Sequence, residues 1–135
     1  MNRINYFLSL TAIILLSGCS SDDVADLIGN WNLYQFKVDC PVDGEFYDFK
    51  ADNGCYSFDG EEACFFLNFR EDGSGTITTS FDGESDSSEI TYTQTDNQVS
   101  VCYAPSECEI FQLNDGKLIY DTVEEGCNSS YVFSK

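Results

Sequence analysis

The chain has 135 residues, enough for one domain, and carries 24 Asp and Glu against 6 Lys and Arg, a net charge of −18. This balance excludes nucleic acid as a partner, because no basic patch can displace counterions from phosphates. The sequence has no His, which excludes His-based acid/base catalysis and His-ligated metal sites. A hydrophobic content of 42% is too high for a disordered acidic chain.

Residues 1–18 are predicted to be a signal peptide. Arg3 supplies the positive charge, and the apolar stretch from Phe7 to Leu16 is too short to span a bilayer. The next residues, Leu16-Ser17-Gly18-Cys19, resemble the lipobox of bacterial lipoproteins. This resemblance implies cleavage after Gly18, a diacylglycerol thioether on Cys19 and acylation of the new amino terminus with a fatty acid such as palmitate. The alternative is an ordinary secretory signal with a Cys nearby by chance.

Residues 19–26 are predicted to form a lipidated N-terminus and polar tether. The Ser after the lipid Cys, in Ser20-Ser21-Asp22-Asp23, resembles the outer-membrane sorting pattern of lipoproteins. The acidic residues are similar to the surface-export signals of Bacteroidetes lipoproteins. We therefore expect a lipid-anchored protein of the outer membrane, on its periplasmic face or at the cell surface, with the membrane as a partner through Cys19. Residues 22–27 are expected to form a turn of helix.

Six further cysteines predict three disulfides in an exported domain, with fifteen ways to pair them. They are Cys40, Cys55, Cys64, Cys102, Cys108 and Cys127. The alternative, a metal site, is disfavoured because the chain has neither C-x-x-C nor His, so we expect no metal and no cofactor. Cys102 and Cys108 close a short loop that contains Pro105, and Cys55 and Cys64 flank an acidic turn. Pairing these two sets leaves Cys40 with Cys127.

From Trp31 onward the apolar residues alternate with polar ones, which is typical of half-buried strands. Eight strands are predicted: Trp31–Val38, Cys64–Arg70, Thr76–Phe81, Glu89–Thr95, Val99–Tyr103, Glu109–Leu113, Lys117–Asp121 and Ser130–Ser134. The region Tyr47–Phe58 is expected to add one more. Asp-Gly pairs in the links supply the positive backbone angles of tight hairpins. This pattern predicts an all-β fold over residues 27–135, an antiparallel up-and-down barrel of about eight strands, stapled by disulfides.

In six strands the alternation assigns one apolar face to the interior: Phe65, Leu67 and Phe69; Ile77 and Phe81; Ile90 and Tyr92; Val99, Val101 and Tyr103; Leu118 and Tyr120; Tyr131 and Phe133. The first strand is ambiguous. There Trp31 and Leu33 share one face, whereas Tyr34, Phe36 and Val38 share the other. A β-bulge, or a covering loop from residues 41–62, would resolve this conflict.

Two short motifs resemble lipocalins. Leu27-Ile28-Gly29-Asn30-Trp31-Asn32-Leu33 is similar to their G-x-W motif, and Leu67-Asn68-Phe69 with Asp72-Gly73-Ser74-Gly75 is similar to a hairpin of lipocalin-like domains on Bacteroidetes lipoproteins. The resemblance implies that a short helix leads into the first strand and that Trp31 packs at the barrel base. Lipocalins place an Arg over this Trp, and only Lys135 can take that place here.

No catalytic machinery is expected. A Ser or Cys nucleophile lacks its His, and the carboxylate pairs fall in predicted turns, where solvent keeps them ionised. The acidic segment Asp82–Glu89 resembles the start of a calcium loop, but it lacks the required Gly, and a solvated turn over 82–88 is the preferred interpretation.

The leading hypothesis is non-enzymatic binding of a small apolar ligand or an envelope component, since an eight-stranded barrel has room for one small ligand or for side chains alone. The candidate lining residues are Trp31, Phe65, Phe69, Tyr92, Tyr103 and Tyr120. The alternative is a structural or protein-interaction lipoprotein with a solid barrel, whose acidic loops would meet a basic partner.

Overall fold

A computed structural model describes residues 27–135 and places ten strands in one antiparallel sheet. The strands are β1 (Gly29–Cys40), β2 (Glu45–Lys50), β3 (Cys55–Phe58), β4 (Glu61–Phe69), β5 (Ser74–Phe81), β6 (Glu84–Thr95), β7 (Gln98–Ala104), β8 (Glu107–Asn114), β9 (Lys117–Glu124) and β10 (Cys127–Ser134). The predicted signal peptide, lipid attachment site and tether lie outside the described residues. Within residues 27–135, no helix is long and apolar enough to cross a membrane.

Eight of the strands close into a barrel. Hydrogen-bonded neighbours run from β1 through β10 and then down in order to β4, and β4 pairs with β1 to complete the ring. The strand pairings confirm the expected antiparallel up-and-down barrel, in which the first and last strands are neighbours.

The two ends of the barrel differ because the β1–β4 contact is short. Only residues 29–32 of β1 pair with residues 66–69 of β4, at the end that we call the base. Towards the other end, which we call the mouth, β1 pairs instead with β2, and β4 pairs with β3. The barrel is therefore closed at its base and splayed at its mouth, with β2 and β3 inserted in the opening.

A β-bulge resolves the conflict in the first strand. Leu33 pairs with Phe133 and Gln35 with Val132, so Tyr34 is an extra residue that has no partner on β10. The extra residue reverses the face that each later side chain takes. Trp31 and Leu33 point inward before the bulge, and Phe36 and Val38 face the interior side after it. The predicted bulge is confirmed.

Most strand ends lie within about three residues of the predicted ones, and two differences are larger. The region expected to give one strand gives two, β2 and β3, and β6 begins at Glu84 rather than Glu89. The predicted turn over 82–88 is therefore wrong beyond Asp82 and Gly83. Residues 84–89 are exposed, so no apolar alternation marks them as a strand, and they form one by pairing with β5.

The core fills the base. Trp31 is 2% exposed, and its Nε1 donates a hydrogen bond of 2.7 Å to the carbonyl oxygen of Leu27. Phe69 meets Tyr92 edge to face at 4.9 Å, and the Tyr92 hydroxyl donates to the carbonyl oxygen of Arg70 at 2.6 Å. The position expected for Trp31 is observed, and the Nζ of Lys135 lies 5.2 Å from its ring.

Three disulfides join neighbouring strands in the mouth half of the barrel. Cys40–Cys127 joins β1 to β10, Cys55–Cys64 joins β3 to β4, and Cys102–Cys108 joins β7 to β8. These are the three pairings that the spacing favoured. Each bridge links residues at or next to a cross-strand pair, and together they brace the end that the short β1–β4 contact leaves open.

Candidate functional site: an aromatic cleft at the barrel mouth

A cleft of about 210 Å³ enters the barrel from the mouth. Its walls come from six of the barrel strands, β4, β5 and β7 to β10. It is lined by Phe65, Phe66, Leu67, Ile77, Thr79, Tyr103, Glu109, Phe111, Tyr120, Thr122, Glu124, Tyr131 and Phe133. We refer to this space as the mouth cleft. It exists because β1 and β4 separate beyond the base, so that the inward side chains no longer fill the wider mouth.

Aromatic rings form most of the wall of the mouth cleft. Phe111 stacks on Tyr120 at 4.9 Å, Tyr120 on Tyr131 at 6.0 Å, and Tyr131 meets Phe65 at 5.7 Å. Because each ring is held by its neighbours, the apolar wall is formed before any ligand arrives.

Glu109 is the polar group that the wall positions best. Its two carboxylate oxygens accept hydrogen bonds from the hydroxyls of Tyr103 and Tyr120, both at 2.9 Å. Glu124 also lines the cleft, whereas none of the Lys and Arg side chains of residues 27–135 does. The mouth cleft therefore combines an apolar wall with fixed negative charge.

The tyrosines of the cleft stay neutral far above pH 7. Burial, followed by the hydrogen bond to Glu109, raises the pKa of Tyr103 well above its usual value. Burial also raises the pKa of Tyr131 to about 12, with a smaller contribution from the charge of Glu124. Under physiological conditions these hydroxyls therefore stay protonated. They can donate hydrogen bonds, but they cannot act as bases.

The structure divides the six candidate lining residues into two groups. Phe65, Tyr103 and Tyr120 line the mouth cleft. Trp31, Phe69 and Tyr92 are packed in the base, with 2%, 1% and 8% of their surface exposed, and they do not line the cleft. The barrel is thus solid at the base and open at the mouth.

Sequence reasoning missed Glu109 and Phe111 as site residues. Both occupy β8, where Glu109, Phe111 and Leu113 alternate on one face. The signal was present in this alternation, but a Glu in an acidic chain is ordinarily solvated and gave no reason to place it inward. Tyr131 was assigned to the interior from its pattern but not to a ligand site.

A second groove, of about 370 Å³, lies beside the cleft and is formed by β1, β2 and β3. It is lined by Phe36, Val38, Glu45, Tyr47, Phe49, Tyr56 and Phe58. Its rings continue into the mouth cleft, because Phe36 stacks on Tyr131 at 4.5 Å and Tyr56 on Phe65 at 6.4 Å. The inserted strands thereby extend the aromatic wall outward from the barrel.

The clusters of potential metal ligands do not form a metal site. Across residues 27–135, the group of three ligand atoms that comes together is that of Cys55, Glu62 and Cys64. Its two sulfurs are joined to each other in a disulfide, which leaves no thiolate to bind a metal. The acidic segment 82–89 is largely an extended strand, in which successive side chains point to opposite faces.

Comparisons with known proteins give two solved structures of similar fold. A lipocalin-like protein from Bacteroides uniformis has a TM-score of 0.48 and 19% sequence identity, over 82% of this chain and 98% of that one. An uncharacterized protein from Bacteroides eggerthii has a TM-score of 0.48 and 17% identity, over 81% of this chain and 98% of that one. No protein-family model and no curated protein sequence matches the chain. The class that the strand pairings define is a small disulfide-bonded β-barrel with an aromatic cleft at one end.

Proposed function

We propose that this protein is a non-enzymatic binding module of the bacterial outer membrane, lipid-anchored at Cys19, that holds a small, largely apolar ligand in the mouth cleft. The observation that carries the proposal is the cleft itself, an aromatic-walled space at the mouth of a barrel whose base is solid. Concave apolar surfaces with a few placed polar groups are the usual form of small-ligand sites.

The size of the cleft limits the ligand. Its volume of about 210 Å³ lies below the roughly 300–1,000 Å³ of sites for drug-sized molecules. A single ring with a short substituent suits this space better than a long acyl chain or a large polycyclic molecule. The three disulfides support binding by bracing the rim, which lowers the entropy cost of ordering the site.

The direction in which the chain enters the barrel supports the proposed anchoring. Leu27, the first described residue, packs at the base against Trp31. Cys19 lies eight residues before Leu27 in the sequence, so the chain from the proposed anchor enters the barrel at the end opposite the mouth cleft.

Ligand binding can be tested with a neutral apolar dye of one ring, 4-(dimethylamino)benzonitrile, whose fluorescence rises on burial. Thr79 lines the cleft, so Thr79→Phe fills it and is expected to abolish the signal. The matched control is Thr78→Phe on the opposite face of the same strand, where Thr78 contacts Ser87 at 2.8 Å. Dye binding that both variants retain, or that the unmodified protein lacks, would contradict the proposal and favour the alternative of an interaction protein without a ligand.

Anchoring can be tested separately in cells that express the full chain. Metabolic labelling with an alkynyl palmitate is expected to tag the protein and to place it in the outer-membrane fraction. Cys19→Ser is expected to lose both the tag and the membrane association. A labelled Cys19→Ser variant, or an unlabelled natural sequence that is secreted as a soluble protein, would refute the lipid anchor.

A further inference from the structure

We propose that the ligand of the mouth cleft carries a positive charge, and that the cleft recognises an organic cation, an ammonium group on a small apolar body. This inference rests on the proposed function, because it names the chemical class of ligand for the same site. The juxtaposition that carries it is an aromatic wall beside the carboxylate of Glu109, which two tyrosines hold, with the exposed carboxylate of Glu124 also in the lining.

The aromatic rings of the cleft provide the first attraction for an ammonium group. Seven aromatic residues line the cleft: Phe65, Phe66, Tyr103, Phe111, Tyr120, Tyr131 and Phe133. The face of an aromatic ring carries negative potential, and enclosure by several rings is the way proteins bind alkylammonium groups. The same chemistry already operates elsewhere in this chain, where the Nζ of Lys117 lies 3.9 Å from the ring centroid of Tyr34.

The carboxylates of the cleft provide the second attraction for an ammonium group. The hydroxyls of Tyr103 and Tyr120 orient Glu109 by one hydrogen bond to each of its oxygens. Each carboxylate oxygen has a further lone pair for a ligand ammonium. Glu124 adds a second negative charge to the lining, and no cationic side chain of the described chain lines the cleft to neutralise either group. These carboxylates would repel an anionic ligand. A neutral ligand would make no charge–charge interaction with them.

The charged residues around the rim also favour a cationic ligand. The five turns at the mouth, residues 41–44, 59–60, 82–83, 105–106 and 125–126, contain no Lys or Arg, and four of them carry an acid. Of the five cations of residues 27–135, Arg70, Lys117 and Lys135 begin or follow strands at the base. The other two, Lys37 and Lys50, lie on β1 and β2 and do not line the cleft. The mouth therefore attracts cations towards the cleft and repels anions.

The ammonium could belong to a free amine or to a lysine side chain of another protein. Both present the same charged group, and they differ in the apolar part, which is a ring or chain in the first case and a peptide in the second. The test therefore includes one probe for each source.

The experiment measures dissociation constants by isothermal titration calorimetry at pH 7, on the full chain purified in detergent with its disulfides formed. Three probes share one ring and differ in charge: 2-phenylethylammonium, 2-phenylethanol and 3-phenylpropionate. A fourth probe is the peptide acetyl-Gly-Lys-Gly-amide. We expect the ammonium probe to bind about tenfold more tightly than the alcohol, and the carboxylate probe not to bind.

The variant Glu109→Gln keeps the shape of the side chain and removes its charge. It is expected to lower the affinity for 2-phenylethylammonium about tenfold and to leave the affinity for 2-phenylethanol unchanged. The control is Glu107→Gln on the same strand, which removes the same charge at an exposed position outside the lining. It is expected to change the affinity less than about twofold, since exposed charges are screened at physiological salt.

The outcomes separate this inference from the proposed function. Equal affinity for the ammonium and the alcohol, or an equal loss in Glu109→Gln and Glu107→Gln, would overturn the inference and leave small-ligand binding intact. Absence of binding by every probe, together with failure of the neutral dye, would overturn both. Binding of the lysine peptide that exceeds that of the amine, and that Glu109→Gln weakens, would support the ammonium chemistry and assign the ligand to another protein.

Discussion

Removal of a single disulfide should destabilise the barrel more, the longer the stretch of chain that the disulfide closes. Cys40–Cys127 has a sequence separation of 87 residues, and the loop-entropy relation gives a loss of about 4.6 kcal/mol for this bridge. Cys102–Cys108 has a separation of 6, for which the same relation gives about 2.2 kcal/mol. Since a domain of this size is stable by roughly 5–15 kcal/mol, loss of the first bridge removes a large share of the total.

The assay compares the variants Cys40→Ala/Cys127→Ala and Cys102→Ala/Cys108→Ala by urea denaturation, followed by far-ultraviolet circular dichroism without reductant. The first variant is expected to be less stable than the second by about 2.4 kcal/mol. Because both variants lose two sulfurs between neighbouring strands, the difference reports loop length more than packing. Equal stability of the two variants, or the reverse order, would refute the reasoning.

Three further predictions concern the base, the cleft tyrosines and one close backbone approach. Trp31→Phe removes the hydrogen bond to Leu27 and part of the base core, and it should cost about 2–4 kcal/mol in urea denaturation. Because the pKa of Tyr131 is raised to about 12, its neutral form is favoured by the fold, so stability should be fully present below pH 10 and fall as the pH rises towards 12. Urea titrations at pH 8 and pH 11 should show a smaller fall in Tyr131→Phe, and an unchanged fall would contradict the assignment. Gly75→Ala places a Cβ against the carbonyl oxygen of Asn68 and should lower the free energy of unfolding by about 1–3 kcal/mol, whereas Thr76→Ala on the other face should cost less.

The alternation of apolar residues and the Asp-Gly turns were enough to predict the barrel. They located strands such as β4 and β7. The spacing of Cys102 with Cys108 and of Cys55 with Cys64 predicted two bridges, and the third followed by elimination. The pattern failed in residues 84–89, where both faces of the strand meet solvent and no apolar residue marks it. Strand formation there depends on pairing with β5, which local sequence does not encode.

The depth of a residue inside the barrel was harder to predict than its direction. Phe65 and Phe69 lie on the same face of β4 and look alike in sequence, but Phe69 is buried in the base and Phe65 lines the cleft. The difference arises because β1 leaves β4 after Asn32 and the barrel widens beyond that point. The point at which β1 and β4 stop pairing depends on the whole closed sheet. It cannot be predicted from the sequence of either strand alone.

The most direct test of the account is a titration of the isotope-labelled domain with 2-phenylethanol, followed by nuclear magnetic resonance. The account predicts that amide signals of the cleft walls, such as those of Glu109, Tyr120 and Tyr131, shift with a common dissociation constant while the indole signal of Trp31 stays in place. Shifts centred on Trp31 and the base, or no saturable shift at any position, would contradict a barrel that is solid at its base and binds ligands at its mouth.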